Sequence, residues 1–330
     1  MGIRFVVNFV LLAIPIGVTL GVLIGLDYQR KSSGQDPIYT PGDSDGNGGG
    51  KPPKKGNGFT PHTLCNKTFG LTPYTEGQQY TLNPNQWGWD EGDKGALCLH
   101  VNTYDNGSYA TETTAPKWSV TWQYPRGPES QPVHAFPNIK VDGKVFPEKL
   151  SGIKNINVDF NFTYGMGNNA SSDTDLDELN AANVNTNVAM DMFMDLDKTK
   201  AGDAEKASHE VMVWFSAIGS ATQPIGLTID AVKQKATANY TIDGTNFGLY
   251  KGNNSRDQVV LTWMASDTAD SFKGDVYPLI EQLLKLQAKQ STFPTDKYYL
   301  GYMSWGTEAY SSDKNVTFNV PKLSIDIETE

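Results

Sequence analysis

Basic residues, cysteine and histidine are all scarce in this 330-residue chain, and each shortage argues against a class of function. The 27 Lys and Arg residues are outnumbered by 37 Asp and Glu, which leaves a formal net charge of −10. Because nucleic-acid binding depends on basic patches, this balance argues against a nucleic-acid partner. The 4 His and 2 Cys form no cluster with the spacing of metal ligands, so we expect neither a metal nor a cofactor.

Charged side chains are also few, at 19% of the chain, which is low for a cytosolic helical protein. The chain has instead 32 Gly and 11% aromatic residues, the composition of short strands joined by tight turns. Strand-like runs recur from Phe59 onward, and Asp243-Gly244 between two of them is a hairpin signal. Apolar spacing predicts one helix over Asp275–Lys289. We predict an all-β fold, an antiparallel β-sandwich of the jelly-roll, concanavalin-like type with one short helix.

An apolar N-terminal segment precedes this domain. Residues 5–26 are nearly all apolar, and a run of 22 residues is long enough to span a bilayer. No small-residue cleavage site precedes Asp27, which favours a signal anchor over residues 1–31, with a cleaved signal peptide as the alternative. With either, we predict an extracellular domain, secreted or anchored to the plasma membrane. Seven Asn-x-Ser/Thr sequons support this prediction, at Asn66, Asn106, Asn161, Asn169, Asn239, Asn253 and Asn315.

Composition divides the rest of the chain into two parts. Residues 32–58 contain Gly, Pro, Ser, Asp and Lys with almost no apolar side chains, and they are predicted to be a flexible linker. Residues 59–330 form one domain, within which the polar insert 165–185 is predicted to be a surface loop. In an exported protein Cys65 and Cys98 predict a disulfide that closes a loop of about 33 residues, two buried free thiols being the alternative.

An acidic residue lies among aromatic side chains in the run His209–Ser216. Because side chains alternate across a strand, Glu210 shares one face with Met212 and Trp214, and the other face is apolar. This is the arrangement that cleavage of a sugar polymer needs, since rings stack on sugars and acids do the chemistry. An ordinary exposed Glu beside a packed Trp is the alternative. An earlier run alternates methionines with acids, and its Asp191 is predicted either to hydrogen-bond Glu210 from a neighbouring strand or to be merely solvated.

A second acid, Glu308, lies near the end of a later strand-like run, in the segment Trp-Gly-Thr-Glu-Ala-Tyr. Alternation puts Glu308 and Tyr310 on one face, unless a bulge at Gly301 or Gly306 changes the register.

These segments resemble glycoside hydrolase family 12, the small microbial endo-β-1,4-glucanases and xyloglucanases. Residues Tyr80–Gly88 are similar to the family's Tyr-Thr-x-Asn-Asn-Leu-Trp-Gly. Residues Glu210–Trp214 are similar to its Glu-Leu-Met-Ile-Trp, and residues Gly306–Tyr310 to its Gly-Thr-Glu-Pro-Phe. Cys65 and Cys98 match the family's N-terminal disulfide. The resemblance covers about residues 63–325 and rests on six segments in order: Tyr80–Gly88, Asn187–Phe193, Glu210–Trp214, Gln223–Gly226, Phe272–Asp275 and Gly306–Tyr310.

The resemblance implies a role for each matched residue. It makes Glu210 the nucleophile, Glu308 the acid/base and Asp191 the group that orients the nucleophile. It implies a retaining reaction, for which the two catalytic carboxyl groups lie roughly 5–5.5 Å apart. The charge of Glu210 should keep the proton on Glu308, and the three acids should titrate as a coupled group. It also implies that substrate is bound by Asn85, Trp87, Met212, Trp214, Pro224, Ile225 and Tyr310.

Four positions depart from the family's pattern. His209 stands where Tyr usually precedes the nucleophile, Ala309 replaces the Pro after the acid/base, and Phe247 falls where the family often has Trp. Phe69 is the candidate for the family's first stacking aromatic residue after the first cysteine. None of these changes removes a catalytic carboxyl group. We expect several of them to alter substrate preference.

Together these features predict a monomeric, cofactor-free enzyme that cuts β-1,4-glucan internally, in polysaccharide catabolism. The sequence leaves cellulose-type glucan, xyloglucan and mixed-linkage glucan open. One alternative function is a non-catalytic glycan-binding domain at the cell surface, and another is an acidic surface protein recognised by a host. Release of reducing ends from xyloglucan or carboxymethylcellulose separates the enzyme from both.

Overall fold

Runs that alternate apolar and polar residues form the strands of the domain. The computed structural model describes residues 59–75, 77–104, 109–227 and 236–330. The strands in chain order are β1 Phe59–Leu64, β2 Gln79–Asn83, β3 Ala96–Tyr104, β4 Lys117–Gln123, β5 Asn138–Asp142, β6 Glu148–Lys149, β7 Ile153–Met166, β8 Asn185–Asp195, β9 His209–Ile218, β10 Asn239–Ile242, β11 Thr245–Asn253, β12 Val259–Ala265, β13 Ser271–Asp275, β14 Tyr299–Gly306, β15 Ala309–Ser311 and β16 Val316–Thr329. The helices are α1 Leu176–Ala181, α2 Lys198–Ala201 and α3 Tyr277–Gln287.

The described strands form two sheets. The smaller sheet has the order β1-β3-β4-β16-β7-β13, and the larger has the order β10-β11-β12-β9-β8-β14-β5-β2, with β15 beside β8 and β6 beside β14. The apolar faces of both sheets contribute to one core, in which Trp118 of β4 meets Trp305 of β14 edge-on at 6.3 Å between ring centres. The predicted β-sandwich is thereby confirmed.

One strand pair differs from the predicted antiparallel arrangement. β12 runs parallel to β9, with Val260 opposite Glu210. Parallel neighbours need a long crossover, and the chain between these strands supplies one that contains β10 and β11. The turn between β10 and β11 is the predicted hairpin, and Asp243 and Gly244 have φ of 46° and 84° there. Positive φ at both central residues is the requirement of a type I′ turn.

The predicted helix is present as α3, where Leu279, Ile280 and Leu283 are buried. The prediction that residues 165–185 form only a loop is wrong, because α1 lies within them. Asp175 caps α1 by accepting hydrogen bonds from the backbone N–H groups of residues 177 and 178, and Leu179 anchors the helix in the core.

Cys65 and Cys98 form the predicted disulfide, across a separation of 33 residues. The predicted N-terminal anchor or signal and the predicted linker lie outside the described residues. Within the described ranges, no helix has the length and apolar character needed to cross a membrane.

Candidate active site

A cleft of about 250 Å³ opens on the face of the larger sheet that points away from the core. β9, β8 and β14 are neighbours there, with Glu210 opposite Phe193 and Phe193 opposite Tyr302. The lining side chains are Asn85, Trp87, Phe136, Asp191, Phe193, Ala204, Glu205, Glu210, Met212, Asn254, Arg256, Gln258, Tyr302 and Glu308. The structure thus brings together the three predicted catalytic carboxyl groups with Asn85, Trp87 and Met212.

Glu210 lies on β9 with the predicted orientation. Val211 and Val213 point into the core, and Glu210 and Met212 line the cleft. Burial raises the pKa of Glu210, while a hydrogen bond from Asn254 and the charge of Arg256 act in the opposite direction. The site therefore contains groups that favour an ionised Glu210 despite its partly buried position.

Glu308 lies between two strands, since β14 ends at Gly306 and β15 begins at Ala309. Its Oε2 accepts hydrogen bonds from Asn187 Nδ2 and, at 3.2 Å, from the Tyr310 hydroxyl. Burial and the charge of Glu210 raise the pKa of Glu308 to about 7, although both hydrogen bonds lower it. Glu308 is consequently able to hold a proton at near-neutral pH, as a general acid must.

Asp191 is 7% exposed and lies diagonally from Glu210, because its own partner across the strand pair is Met212. Its Oδ1 is buried and accepts no hydrogen bond from the described residues. Burial, then the charges of Glu210 and Glu308, raise the pKa of Asp191 well above its usual value. The structure contains no hydrogen bond between Asp191 and Glu210, so the two carboxyl groups interact through their charges.

Asn254 is a functional residue that sequence reasoning missed. Its Nδ2 donates to Glu210 Oε2 at 3.1 Å and to Gln258 Oε1 at 2.8 Å. Gln258 is in turn fixed by donating to the carbonyl oxygens of Ala204 and Ala207. Only the parallel pairing of β12 with β9 brings this loop to Glu210, and no local pattern in the sequence indicates that pairing.

Asn187 is the second missed residue. It precedes Val188-Ala189 in the segment that resembles the family, but only Asp191 of that segment was assigned a role. Asn187 is fully buried, donates to Glu308 Oε2 and accepts from the Glu308 N–H at 2.9 Å. The signal in the sequence that could have identified it is a polar Asn directly before the apolar residues 188–190, in the matched segment that carries Asp191.

Trp87 is the aromatic side chain best presented to a ligand, with 45% of its surface exposed at the cleft. Its neighbours in the chain are fixed, because Gln86 N–H donates to Lys67 O and Gly88 N–H donates to His134 O. Phe69 is 77% exposed and does not line the cleft. The structure therefore does not place Phe69 at the position of a first stacking ring.

Four of the predicted substrate-binding residues are not among the cleft-lining side chains: Trp214, Pro224, Ile225 and Tyr310. Trp214 is buried and packs in a small cluster with Ala189 and Met212. Tyr310 is also buried and contacts Glu308 through its hydroxyl group. A buried ring has no free face for a sugar, so neither aromatic residue forms a wall of the cleft.

The family departures have structural explanations. His209 is buried, with Nε2 donating to Thr292 O at 3.0 Å, and its burial lowers its pKa, which keeps it neutral. Ala309 donates its N–H to Ala135 O at 2.8 Å, a bond that the proline usual at this position cannot make. Phe247 belongs to the core. Of the two glycines at which a bulge was the alternative to regular alternation, Gly301 lies at a shift of register, and an added Cβ there would lie 2.2 Å from the backbone of Ala201.

A β-sandwich with a cleft on one sheet face, three interacting carboxyl groups in it and an exposed indole beside them defines a class of protein. It is a sandwich-fold glycoside hydrolase, in which paired carboxyl groups flank the bond that is cut. The sequence profile of glycosyl hydrolase family 12 matches residues 78–328. The chain therefore belongs to glycosyl hydrolase family 12.

Named relatives agree with this assignment. The chain is 28% identical to xyloglucan-specific endo-beta-1,4-glucanase A of Emericella nidulans, over 73% of this chain and 83% of that protein. It is 35% identical over 103 residues to a protein of Phytophthora nicotianae named inactive glycoside hydrolase XLP1, covering 31% of this chain and 38% of that protein. Endoglucanase 3 of Trichoderma harzianum has the same fold, with a TM-score of 0.60 and 20% identity over 83% of this chain and all of that one.

Proposed function

We propose that this protein hydrolyses β-1,4-glucan within the chain and retains the configuration at the anomeric carbon. The observation that carries the proposal is one cleft that contains Asp191, Glu210 and Glu308, each with a raised pKa, and the charge of Glu210 contributes to the raised pKa of both other acids. Pairs of carboxyl groups in different environments are how glycosidases divide the roles of acid and nucleophile. The xyloglucan-specific names of the relatives support the choice of linkage.

In the first step, a carboxylate oxygen of Glu210 attacks the anomeric carbon while Glu308 gives its proton to the glycosidic oxygen. The bond from the anomeric carbon to that oxygen breaks, the shortened glucan leaves as an alcohol, and a glycosyl ester forms on Glu210. Two donors occupy Oε2 of Glu308, so the transferable proton belongs on its other oxygen. The bonds from Asn187 and Tyr310 then stabilise the carboxylate that forms.

In the second step, Glu308 takes a proton from water as the water oxygen attacks the anomeric carbon. The ester to Glu210 breaks, and the sugar is released with its original configuration. Because esterification removes the charge of Glu210, a cause of the raised pKa of Glu308 is absent at this stage, which favours the ionised base. The same residue can therefore serve as acid and then as base.

We assign Asp191 the role of orienting Glu210. Its raised pKa allows it to retain a proton, and a protonated carboxyl group beside an ionised one can donate a hydrogen bond to it. Its otherwise unpaired Oδ1 is available for this bond. Asp191 and Glu210 share a face of neighbouring strands, which directs both carboxyl groups to the same side of the sheet.

Substrate is bound by Trp87, whose exposed ring stacks on a sugar face, with Asn85 and Met212 as neighbouring contacts. Xyloglucan is the favoured polymer, and cellulose-type glucan the next. Initial rates on xyloglucan, carboxymethylcellulose and mixed-linkage glucan measure this preference. A rate on xyloglucan below that on both other polymers would reverse the order.

Substitution of the acids tests the mechanism. Glu210→Gln and Glu308→Ala should each lower kcat by several orders of magnitude, and azide should restore part of the activity of the second variant on a substrate with a good leaving group. Glu281→Gln, on the surface of α3, is the matched control and should keep full activity. Activity of Glu210→Gln near the control level would eliminate Glu210 as nucleophile.

The stereochemistry of the first product distinguishes the retaining reaction from inversion. Proton NMR spectra taken during early hydrolysis should show the β-anomer first, with the α-anomer growing only by mutarotation. Initial appearance of the α-anomer would mean that Glu210 activates water and forms no ester.

A non-catalytic glycan-binding domain is the second candidate, because one relative is named as inactive. The presence of all three carboxyl groups in one cleft favours the enzyme. Binding of xyloglucan without release of reducing ends, under conditions in which the protein is folded, would support the second candidate.

We also propose that the protein acts outside the cell as a monomer, either secreted or anchored through residues 5–26, and carries N-linked glycans. The sequons and the disulfide support export, since disulfides persist in oxidising compartments. N-terminal sequencing and intact mass of the protein recovered from the medium or the membrane fraction test cleavage and glycosylation together. A protein found only in the cytosol would contradict the proposal.

A further inference from the structure

The backbone of Glu308 is held by side chains and not by a sheet ladder. Glu308 falls in the gap between β14 and β15, so it has no partner across a strand pair. Its N–H donates to Asn187 Oδ1 at 2.9 Å, and its carbonyl oxygen accepts from Thr186 Oγ1 at 2.7 Å. The position of the catalytic carboxyl group therefore depends on how firmly two neighbouring residues of β8 are held.

Thr307, which precedes Glu308, joins the same group of contacts. Its Oγ1 donates to the carbonyl oxygen of Asn187 and lies 2.8 Å from Thr186 Oγ1. Both threonines and Asn187 are fully buried. Three buried side chains thus surround the Glu308 backbone, and the contacts of Thr307 with Asn187 and Thr186 are themselves buried.

A tyrosine from the opposite sheet completes this group. The hydroxyl of Tyr164, on β7, lies 3.0 Å from Thr186 Oγ1 and 3.1 Å from Thr307 Oγ1. Trp122, on β4, donates its indole N–H to the same hydroxyl at 2.8 Å. The phenol therefore crosses the core from the smaller sheet to the larger one, and its ring is fully buried.

The distances favour one assignment of the hydroxyl protons, since Thr186 Oγ1 lies 2.7 Å from the carbonyl oxygen of Glu308 and 3.4 Å from that of Asn187. The hydroxyl protons of Thr307 and Thr186 are used toward the carbonyl oxygens of Asn187 and Glu308. Both hydroxyl oxygens are then left to accept, and the single proton of Tyr164 is the donor available to them. Burial raises the pKa of Tyr164 to about 12, so the proton stays in place at any working pH.

We propose that Tyr164 is a positioning residue for the acid/base, which it holds from across the core through Thr186 and Thr307. Without its hydroxyl, the two threonines can turn toward each other and release the Glu308 carbonyl oxygen and Asn187. The Glu308 carboxyl group would then lose its fixed orientation, although no residue at the cleft surface had been changed. This inference rests on the proposed role of Glu308.

Tyr164→Phe removes only the hydroxyl and tests the inference. We expect kcat to fall about tenfold with little change in KM, because a misplaced catalytic group affects the chemical step. The alkaline limb of the kcat profile should move to higher pH, since a weaker bond from Asn187 favours the protonated acid. The other titratable groups that interact with Glu308, which are Glu210, Asp191 and Tyr310, are unchanged in this variant.

Tyr80→Phe is the matched control. Tyr80 is equally buried, and its hydroxyl donates to Thr113 O at 2.6 Å, away from the cleft. It should lose stability as Tyr164→Phe does but keep the wild-type kcat and pH profile at a temperature at which both are folded. Identical kcat values and alkaline limbs in the two variants would overturn the inference.

Thr307→Val and Thr307→Ser provide an independent comparison in case Tyr164→Phe does not fold. The serine variant keeps the hydroxyl and should retain most of kcat, and the valine variant should show the same loss and the same alkaline movement as Tyr164→Phe. Equal kcat in both Thr307 variants would overturn the inference. Glu308→Ala in the same assay distinguishes failure of the proposed function from failure of this inference. Full activity of that variant would reject Glu308 as the acid/base, whatever the result for Tyr164.

Discussion

Replacement of Glu308 by Gln should stabilise the fold at neutral and alkaline pH while it abolishes hydrolysis. Burial first, and then the charge of Glu210, raise the pKa of Glu308 from 4.5 to about 7. The folded protein therefore keeps this proton in a pH range in which the unfolded chain has released it. Since the folded state binds more protons there, the free energy of unfolding falls as the pH rises from about 4.5 to about 7.

The size of the effect follows from the raised pKa. Each pH unit corresponds to about 1.4 kcal/mol, so a rise from 4.5 to about 7 corresponds to about 3 kcal/mol. A neutral Gln escapes this cost, and its amide oxygen can still accept the hydrogen bonds from Asn187 and Tyr310. The variant should exceed the wild type by about 3 kcal/mol at pH 8 and match it near pH 4, where the wild-type acid is also protonated.

Urea unfolding followed by tryptophan fluorescence, at about pH 4 and about pH 8 with the disulfide intact, measures the difference at each pH. Glu281→Gln, an exposed residue of α3, controls for the loss of a negative charge and should show no such pH-dependent gain. A difference between variant and wild type that is the same at both pH values would refute the reasoning, because Glu308 would then titrate alike in the folded and unfolded states.

Three further outcomes can be measured. Asn254→Ala removes the donor at 3.1 Å from Glu210 Oε2, so the pKa of Glu210 should rise. The acidic limb of the kcat/KM profile should therefore move to higher pH. An unmoved limb would show that this bond does not affect the nucleophile. Trp87→Ala removes the exposed ring of the cleft and should raise KM for the polymer about tenfold, the equivalent of about 1.4 kcal/mol. The change in kcat should be smaller. An unchanged KM would argue against stacking on this ring. Replacing both Cys65 and Cys98 with Ser should lower the free energy of unfolding by roughly 3–4 kcal/mol, because the unfolded chain is then no longer restricted by a closed loop across their separation of 33 residues. Denaturation midpoints near the wild-type value would contradict this argument.

Local alternation in the sequence determined which way β9, the strand of the proposed nucleophile, presents its side chains. It put Glu210 and Met212 on one face and Val211 and Val213 on the other, as the structure has them, because a strand repeats every two residues whatever its partners. Helical spacing likewise identified α3. The order of the motifs, together with the two cysteines, was sufficient to indicate the family and the disulfide.

Contacts between distant segments were decided only by the tertiary structure. Asn254 reaches Glu210 because β12 pairs in parallel with β9, and Tyr164 reaches Thr186, which bonds the Glu308 backbone, because the two sheets stack. Neither relation leaves a periodic signature in the residues involved. Burial was also decided by the tertiary structure. It removes Trp214 and Tyr310 from the surface of the cleft, and it raises the pKa of Glu308 by removing water from a charge. The sequence specifies the acids and the face on which they lie, and the packing of strands from across the chain specifies how each acid holds its proton.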